Sequence, residues 1–377
     1  MSAPLPVDHA RRLLLAGSVN FITIGMAQSV LGPSLEAIGN NFAVPATTVS
    51  LAISVLFLGA GAAILMAGWL VRRFGYRLTL AGALAVLGGG ALLMTLAANW
   101  PVALLAAALV GLGFGLQNVS TNLLIVRSFG SRAGPPVNLL SALFGIGSVL
   151  GPLLVGLLLP HWRLPYLILA GAALVALIVG LRIPEPEPET RNAHPINPGI
   201  ILSVLGFVSI FFFYVAAEMG AASWEATHLA PYFGPEQAAF LTSLYWAAIT
   251  VGRFIAIPLS AKVRPAHLVT GAAALAIPGA ILTTIPSLAP VGYLIMGLAF
   301  APIFPTTLVW IQQALPGRSE MMIPVTMSAA NLGPVLTAPL IGYGVEGFGT
   351  DFIPWALLTF TVLLLVTATV QLLRTRT

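Results

Sequence analysis

The sequence predicts an all-α membrane protein of twelve transmembrane helices, arranged as two pseudo-symmetric six-helix bundles. Three observations carry this reading. Only 7% of the 377 residues are charged and 58% are hydrophobic, against roughly 25% charged in a soluble domain, so most of the surface must face lipid. The chain resolves into twelve apolar runs near the ~20 residues that a bilayer core requires. Two separate stretches of the first half recur in the second at one shared spacing of 186 residues.

The runs are 13–35, 46–70, 78–98, 101–126, 137–159, 164–183, 199–222, 237–260, 267–287, 289–313, 322–345 and 352–373. The first follows Arg11 and Arg12 and is too long for the 7–15-residue core of a cleaved signal, so it is expected to remain as a span. Gly and Pro recur inside many runs, as transmembrane helices tolerate, and the short connections make neighbouring spans antiparallel. Orientation follows from Lys and Arg, which favour the cytoplasmic side. With the N-terminus inside, fourteen of the sixteen fall on that side; Arg163 lies outside and Arg253 falls within span eight. The even number of spans returns the C-terminus to the cytoplasm. The expected location is the plasma membrane, which in a bacterium is the inner one.

Between spans six and seven, "EPEPETRNAHPINP" (185–198) is polar and proline-rich, which favours an extended chain. It sets the expected domains: an N-terminal bundle over 1–183, a cytoplasmic linker over 184–198 and a C-terminal bundle over 199–377. The halves resemble one another. "GLGFGLQNVSTNLL" from Gly111 matches "GLAFAPIFPTTLVW" from Gly297, and "GIGSVLGPLLVG" (145–156) matches "NLGPVLTAPLIG" (331–342) at the same spacing. Parallel six-helix repeats place a solute site near the membrane midplane, between the halves.

Several classes of function find no support. The formal charge is +5, but the basic residues are scattered between apolar runs, unlike a nucleic-acid footprint. There is no cysteine, so no disulfide or thiolate nucleophile can form. His9, His161, His194, His228 and His267 are too dispersed for metal-ligand spacing. No phosphate-cradling loop or aspartate-rich motif is present. The sequence therefore predicts no enzyme, no cofactor and no metal. The expected partners are a small-molecule substrate, the lipid bilayer and a proton as coupling ion, with the chain acting as a monomer.

"GWLVRRFGYR" (68–77) resembles the loop signature of the major facilitator superfamily, Gly-x-Leu-x-Asp-Arg-x-Gly-Arg-Arg. Gly68, Leu70, Arg73, Gly75 and Arg77 match, while Arg72 occupies the Asp position and Tyr76 replaces an Arg. In that family the Asp helps to lock a cytoplasmic gate. The resemblance implies a gating role for Arg72, Arg73 and Arg77, without that Asp contact. A narrower similarity is to the fucose permease and related sugar:proton symporters, through "GFGLQNVSTN", "NLLSALFGIGSVLGPLL", "FYVAAEMGAASW" and "LAFAPIFPTTL". It implies alternating access, a sugar substrate and proton coupling. This chain departs from that group at two places. Span one, which commonly holds an acidic residue there, offers Asn20 and Gln28, and Asn118 stands where span four has a carboxylate. A Gly-Pro stretch in span five (Gly145, Gly147, Gly151, Pro152) also resembles the antiporter signature of drug exporters. Efflux and facilitative uniport remain as alternatives.

The candidate site residues follow from polarity at central depth. Glu218 comes after eighteen uncharged residues, Ile200 to Ala217. A charge inside a bilayer costs about 3 kcal/mol or more and usually marks a pathway or a proton relay, so Glu218 is the proton-coupling candidate. It is read as the single carboxylate deep in a helix, with Glu225 near the outer end; the alternative is a structural carboxylate capping a break near Gly220. Tyr214 lies four residues before it, on the same helix face. Gln117, Asn118 and Asn122 supply amides that both donate and accept hydrogen bonds, as a sugar demands. Tyr245 and Trp246 offer aromatic faces. With Gln28 and Asn331, these residues are expected to line one cavity, Asn122 lying closer to the cytoplasm. Arg253 is too deep in span eight to reach the interface and is expected to face protein, grouped with the gating residues. Trp224 is expected in the outer interfacial belt, and Trp310 in the inner belt or a gate.

Overall fold

The structure is a computed structural model, and it describes residues 7–130, 133–181, 183, 201–315 and 319–375. The expected linker 184–198 and both extreme termini lie outside the described residues. Those residues form fourteen helices: α1 (Val7–Ser29), α2 (Leu31–Phe42), α3 (Ala46–Leu96), α4 (Trp100–Phe129), α5 (Gly134–Leu158), α6 (Arg163–Gly180), α7 (Ile201–Phe233), α8 (Pro235–Ser260), α9 (Pro265–Leu282), α10 (Ala289–Phe300), α11 (Ile303–Ala314), α12 (Ser319–Ala330), α13 (Leu332–Phe348) and α14 (Phe352–Arg374).

These helices make twelve spans. Helices α1 and α2 are two segments of one span, bent by 47°. Helices α10 and α11 form one span interrupted at Ala301–Pro302, and α12 and α13 form another interrupted at Asn331. Pro302 has no N–H for the helical ladder, which accounts for the first of these breaks. Helix α3 is the opposite case. It runs for 51 residues through two spans, divided at Gly75 with φ 76° and ψ 171°. Few residues other than glycine hold that backbone conformation cheaply, so the second glycine of the 68–77 loop is where the chain turns. Between α3 and α4 the reversal is capped: Asn99 accepts from the Val102 N–H at 3.1 Å, with Pro101 in the first turn. The fold is the twelve-span, all-α membrane architecture that the sequence predicts.

The chain divides into two compact units. One comprises Met1–Val44 and Val55–Arg191; the other comprises Pro45–Ser54 and Asn192–Thr377. The first turns of α3 therefore group with the second unit, where the Ser54 hydroxyl donates to the Val335 carbonyl at 2.8 Å.

Each unit is built around helices that meet backbone to backbone at glycine. In the first, a β-carbon added to Gly111 would strike the backbone of Leu56, and one on Gly147 would strike that of Ile22. In the second, Gly297 lies against the carbonyl of Tyr245 and Gly333 against the backbone of Phe212 and Ala216. The glycines are related by the 186-residue spacing, and the nearest partner of each, Leu56 with Tyr245 and Ile22 with Phe212, follows it to within about one helical turn. The internal repeat is thus visible as the same two close approaches in each unit. Small residues permit such approaches, and lipid-embedded helices use them where no hydrophobic force drives association.

Three local expectations are corrected. Span seven does not stop near residue 222 but continues in α7 to Phe233, where His228 meets Tyr293 of α10. Trp224 is buried, not part of an outer interfacial belt. Trp310 is also buried, edge-on to Phe207 at 5.3 Å between ring centroids, so it is a core residue and not a belt residue.

Candidate functional site

The polar core of the first unit is neutral. Asn20 of α1 donates to the Thr121 hydroxyl of α4 at 2.5 Å, and Gln117 of α4 donates to the Asn20 carbonyl oxygen. All three are buried. Gln117 and Thr121 are four apart and so share a face of α4, which the Gly111 and Gly115 contacts seat against α3. Beside this triad lies a small cavity whose lining includes Asn20, Gln117 and Thr121 together with Leu13, Leu80 and Leu124. The Gln117 carbonyl oxygen and the Ser120 hydroxyl are buried without a hydrogen-bond partner among the described residues. Unmet acceptors cost ~1–3 kcal/mol each, and they give the triad spare capacity toward a polar molecule.

Asn118 and Asn122 occupy a different, half-buried face of α4. The Asn122 amide donates to both the backbone and the side-chain oxygen of Asn118, at 2.9 and 3.0 Å. Gln28 of α1 is half-buried as well. Arg72, Arg73 and Arg77 are exposed around the Gly75 turn, where the Arg73 guanidinium stands 5.9 Å from the centre of the Phe74 ring.

The polar core of the second unit is ionisable. Tyr214 donates to Glu218 Oε1 at 2.6 Å, and Tyr245 of α8 donates to the backbone carbonyl of Glu218 at 2.9 Å. All three are buried. Arg253 is half-buried on α8, close enough for its charge to act on both Tyr214 and Glu218. Trp246 is buried with its indole N–H unpartnered among the described residues. Asn331 stands half-buried at the break before α13, and its amide donates to the Met327 carbonyl at 3.0 Å.

The structure thus gathers Tyr214, Glu218 and Tyr245 into one cluster with Arg253 in electrostatic reach, and joins Gln117 to a partner, Asn20, that sequence reasoning noticed without assigning it a role. It also corrects one expectation. Glu218 is not the single carboxylate buried within a helix: α7 runs on to Phe233, and Glu225 is 1% exposed against 7% for Glu218. Around Glu225 lie Thr242, whose hydroxyl donates to the Ala238 carbonyl, and the buried pair His228 and Tyr293, 3.0 Å apart. The signal for this group was present in the sequence, because Glu225 and His228 stand seven and ten residues beyond Glu218 and continue its helix face.

Twelve apolar spans holding buried polar clusters in both units describe an integral membrane protein of the transporter class. The Major Facilitator Superfamily family model matches residues 17–225, more than half of the chain, and the protein belongs to that superfamily. Among curated proteins it is similar to the glucose/mannose transporter GlcP of Bacillus subtilis, 22% identical over 97% of this chain and 96% of the relative. It is also similar to the fosmidomycin resistance protein of Escherichia coli, 27% identical over 62% of this chain and 61% of the relative. Among solved structures, a D-xylose-proton symporter superposes with a TM-score of 0.80 at 15% identity, covering 96% of this chain and 97% of that one. At that identity the superposition establishes the fold.

Proposed function

We propose that this chain is a secondary active transporter that moves a small polar solute of the sugar class by alternating access, with Glu218 as its proton-coupling group. The observation that carries the reading is the placement of Glu218. It is a buried carboxylate in an apolar helix, held by the Tyr214 hydroxyl, with Tyr245 of α8 fixing its backbone carbonyl, within the field of Arg253. A carboxylate so placed gains or loses a charge when it exchanges a proton, and that change alters what the surrounding helices can bury. Support for a polar solute comes from the amide and hydroxyl groups at mid-span: Gln28, Gln117, Asn118 and Asn122 in the first unit, Asn331 in the second. Tyr245 and Trp246 supply aromatic surface suited to a sugar ring. The similarity to GlcP along nearly the full chain favours this substrate class.

In this reading residues 1–183 and 199–377 are two bundles joined by the 184–198 linker. Arg72, Arg73 and Arg77 gate the cytoplasmic side. Both termini are cytoplasmic in a bacterial inner membrane, and the protein works as a monomer. The second reading, efflux of a small molecule, is favoured by the similarity to the fosmidomycin resistance protein. Purified protein in liposomes separates the two. The first reading expects uptake of a hexose or pentose that accumulates when a pH gradient is imposed and collapses with an ionophore. Transport of lipophilic cations with no response to sugars would replace it with efflux, and sugar flux that ignores the pH gradient would replace it with uniport.

A further inference from the structure

The polar residues of α7 form a line. Tyr214, Glu218, Glu225, His228 and Tyr232 follow at intervals of four, seven, three and four, spacings that keep side chains on one face of a helix. The end around Glu218 belongs to the site described above, and the remainder has no part in it. His228 Nδ1 lies 3.0 Å from the Tyr293 hydroxyl of α10, and its ring stands edge-on to both Tyr232 and Tyr293. Tyr232 donates to Asp351 Oδ1 at 2.9 Å, at the exposed start of α14. Between these groups and Glu218 sits Glu225. It is buried near Thr242 of α8, and its Oε2 has no partner among the described residues.

The titratable and charged side chains described on the helices that pack against α7 are few. Helix α8 contributes Tyr245 and Arg253, with Glu236 exposed at its start. Helix α10 contributes Tyr293. Asp351 precedes α14 and Arg374 ends it, both exposed, and α13 has Tyr343 and Glu346 exposed. Helix α11 has none, nor do the described side chains of α12. On the neighbouring helices Tyr245 and Tyr293 lie within electrostatic reach of Glu225, and neither brings a positive charge; on α7 itself His228 follows three residues on. Burying a lone negative charge in such surroundings is heavily disfavoured. A bound proton removes the charge and with it most of that cost.

We propose that Glu225 is a second proton-binding site, in line with Glu218, and that His228, Tyr293, Tyr232 and Asp351 connect it to the aqueous surface at the Asp351 end of the bundle. The inference rests on the proton-coupled reading above and extends it, with Glu218 remaining the coupling group. Seven residues of helix place Glu225 about 10 Å from Glu218, a waiting position on the way to it. The transfer balances simply. A proton taken up at one His228 nitrogen is matched by one released from the ring or from the Tyr293 hydroxyl, and it ends on a Glu225 oxygen, turning carboxylate into carboxylic acid with no other bond changed.

Infrared difference spectroscopy across a pH step, on the full chain in liposomes without substrate, tests this directly. The parent is expected to show two carboxylic acid carbonyl signals, one lost in Glu225→Gln and the other in Glu218→Gln. His228→Asn and Tyr293→Phe should keep the Glu225 signal and slow its appearance by about 100-fold, the scale of a lost acid–base group. If Glu225→Gln removes no signal, Glu225 binds no proton and the proposal falls. If both link variants leave the rate unchanged, the connection to the Asp351 end falls; should His228→Asn fail to fold, Tyr293→Phe decides alone. The measurement is independent of transport. A parent that shows both signals but ignores a pH gradient during uptake overturns proton coupling and leaves the Glu225 site standing.

Discussion

The two units repeat one architecture and fill it differently. In the first, the buried polar core is Asn20, Gln117 and Thr121, three groups that exchange hydrogen bonds and carry no charge at any ordinary pH. In the second, the buried polar groups are Tyr214, Glu218 and Tyr245, then Glu225 and His228 further along α7 with Tyr293 of α10. The glycine contacts that set helix spacing are shared between the units, while the side chains placed between the helices are not. A repeated scaffold leaves each half free to specialise, and here ionisable chemistry is concentrated in one half. Amides recognise, because they donate and accept at once; carboxyl and imidazole groups respond to proton concentration. The division suggests that solute recognition and proton response are separable by mutation.

The largest expected effect comes from removing titration without removing shape. Glu218→Gln should lower gradient-driven accumulation by on the order of 100-fold while solute exchange at equal pH persists, both read as radiolabelled flux in liposomes. A variant that accumulates solute like the parent would make Glu218 structural and erase the contrast. Gln117→Leu probes the neutral half. It leaves the Asn20 carbonyl oxygen buried without its donor and should cost about 1–3 kcal/mol, seen as a lower melting temperature. The pH dependence of transport should be unchanged, and a shifted pH profile in this variant would break the division. Tyr245→Phe should have the smallest effect. It removes one hydrogen bond to a backbone carbonyl, worth about 1 kcal/mol, and a thermal shift should register it with proton coupling intact. Loss of coupling there would show that Tyr245 does more than hold α7 in place.

Most of the fold was legible because its cause is local and additive. Apolar runs of the right length and a lopsided placement of Lys and Arg are properties of the sequence itself, and lipid enforces them. Gly75 was legible too, as a matched position whose backbone conformation turned out to need glycine. The Tyr214–Glu218 pair followed from a spacing of four. What escaped depends on contacts between distant residues. The stretch from Ser223 to Pro231 reads as the end of a span, because its polar residues cannot be satisfied by α7 alone. Helix α10 brings Tyr293 to His228, and so α7 runs on through a segment that looked too polar to continue. Asn20 was passed over for the same reason, since its partners Gln117 and Thr121 lie about a hundred residues away in sequence.

The glycine contact between α1 and α5 has a mechanical consequence. Gly25 faces the backbone of Phe144 and Ser148, and Gly147 faces that of Ile22, so for about one turn these helices touch without a layer of side chains between them. Such a joint has no rotamers to exchange and almost no free volume to compress. When the bilayer thins or thickens, spans ordinarily respond by tilting one by one. Here α1 and α5 have to lean together, as two laths glued along an edge, and lateral pressure in the membrane reaches the Asn20 side of the core as a rigid displacement that no intervening side chain can absorb.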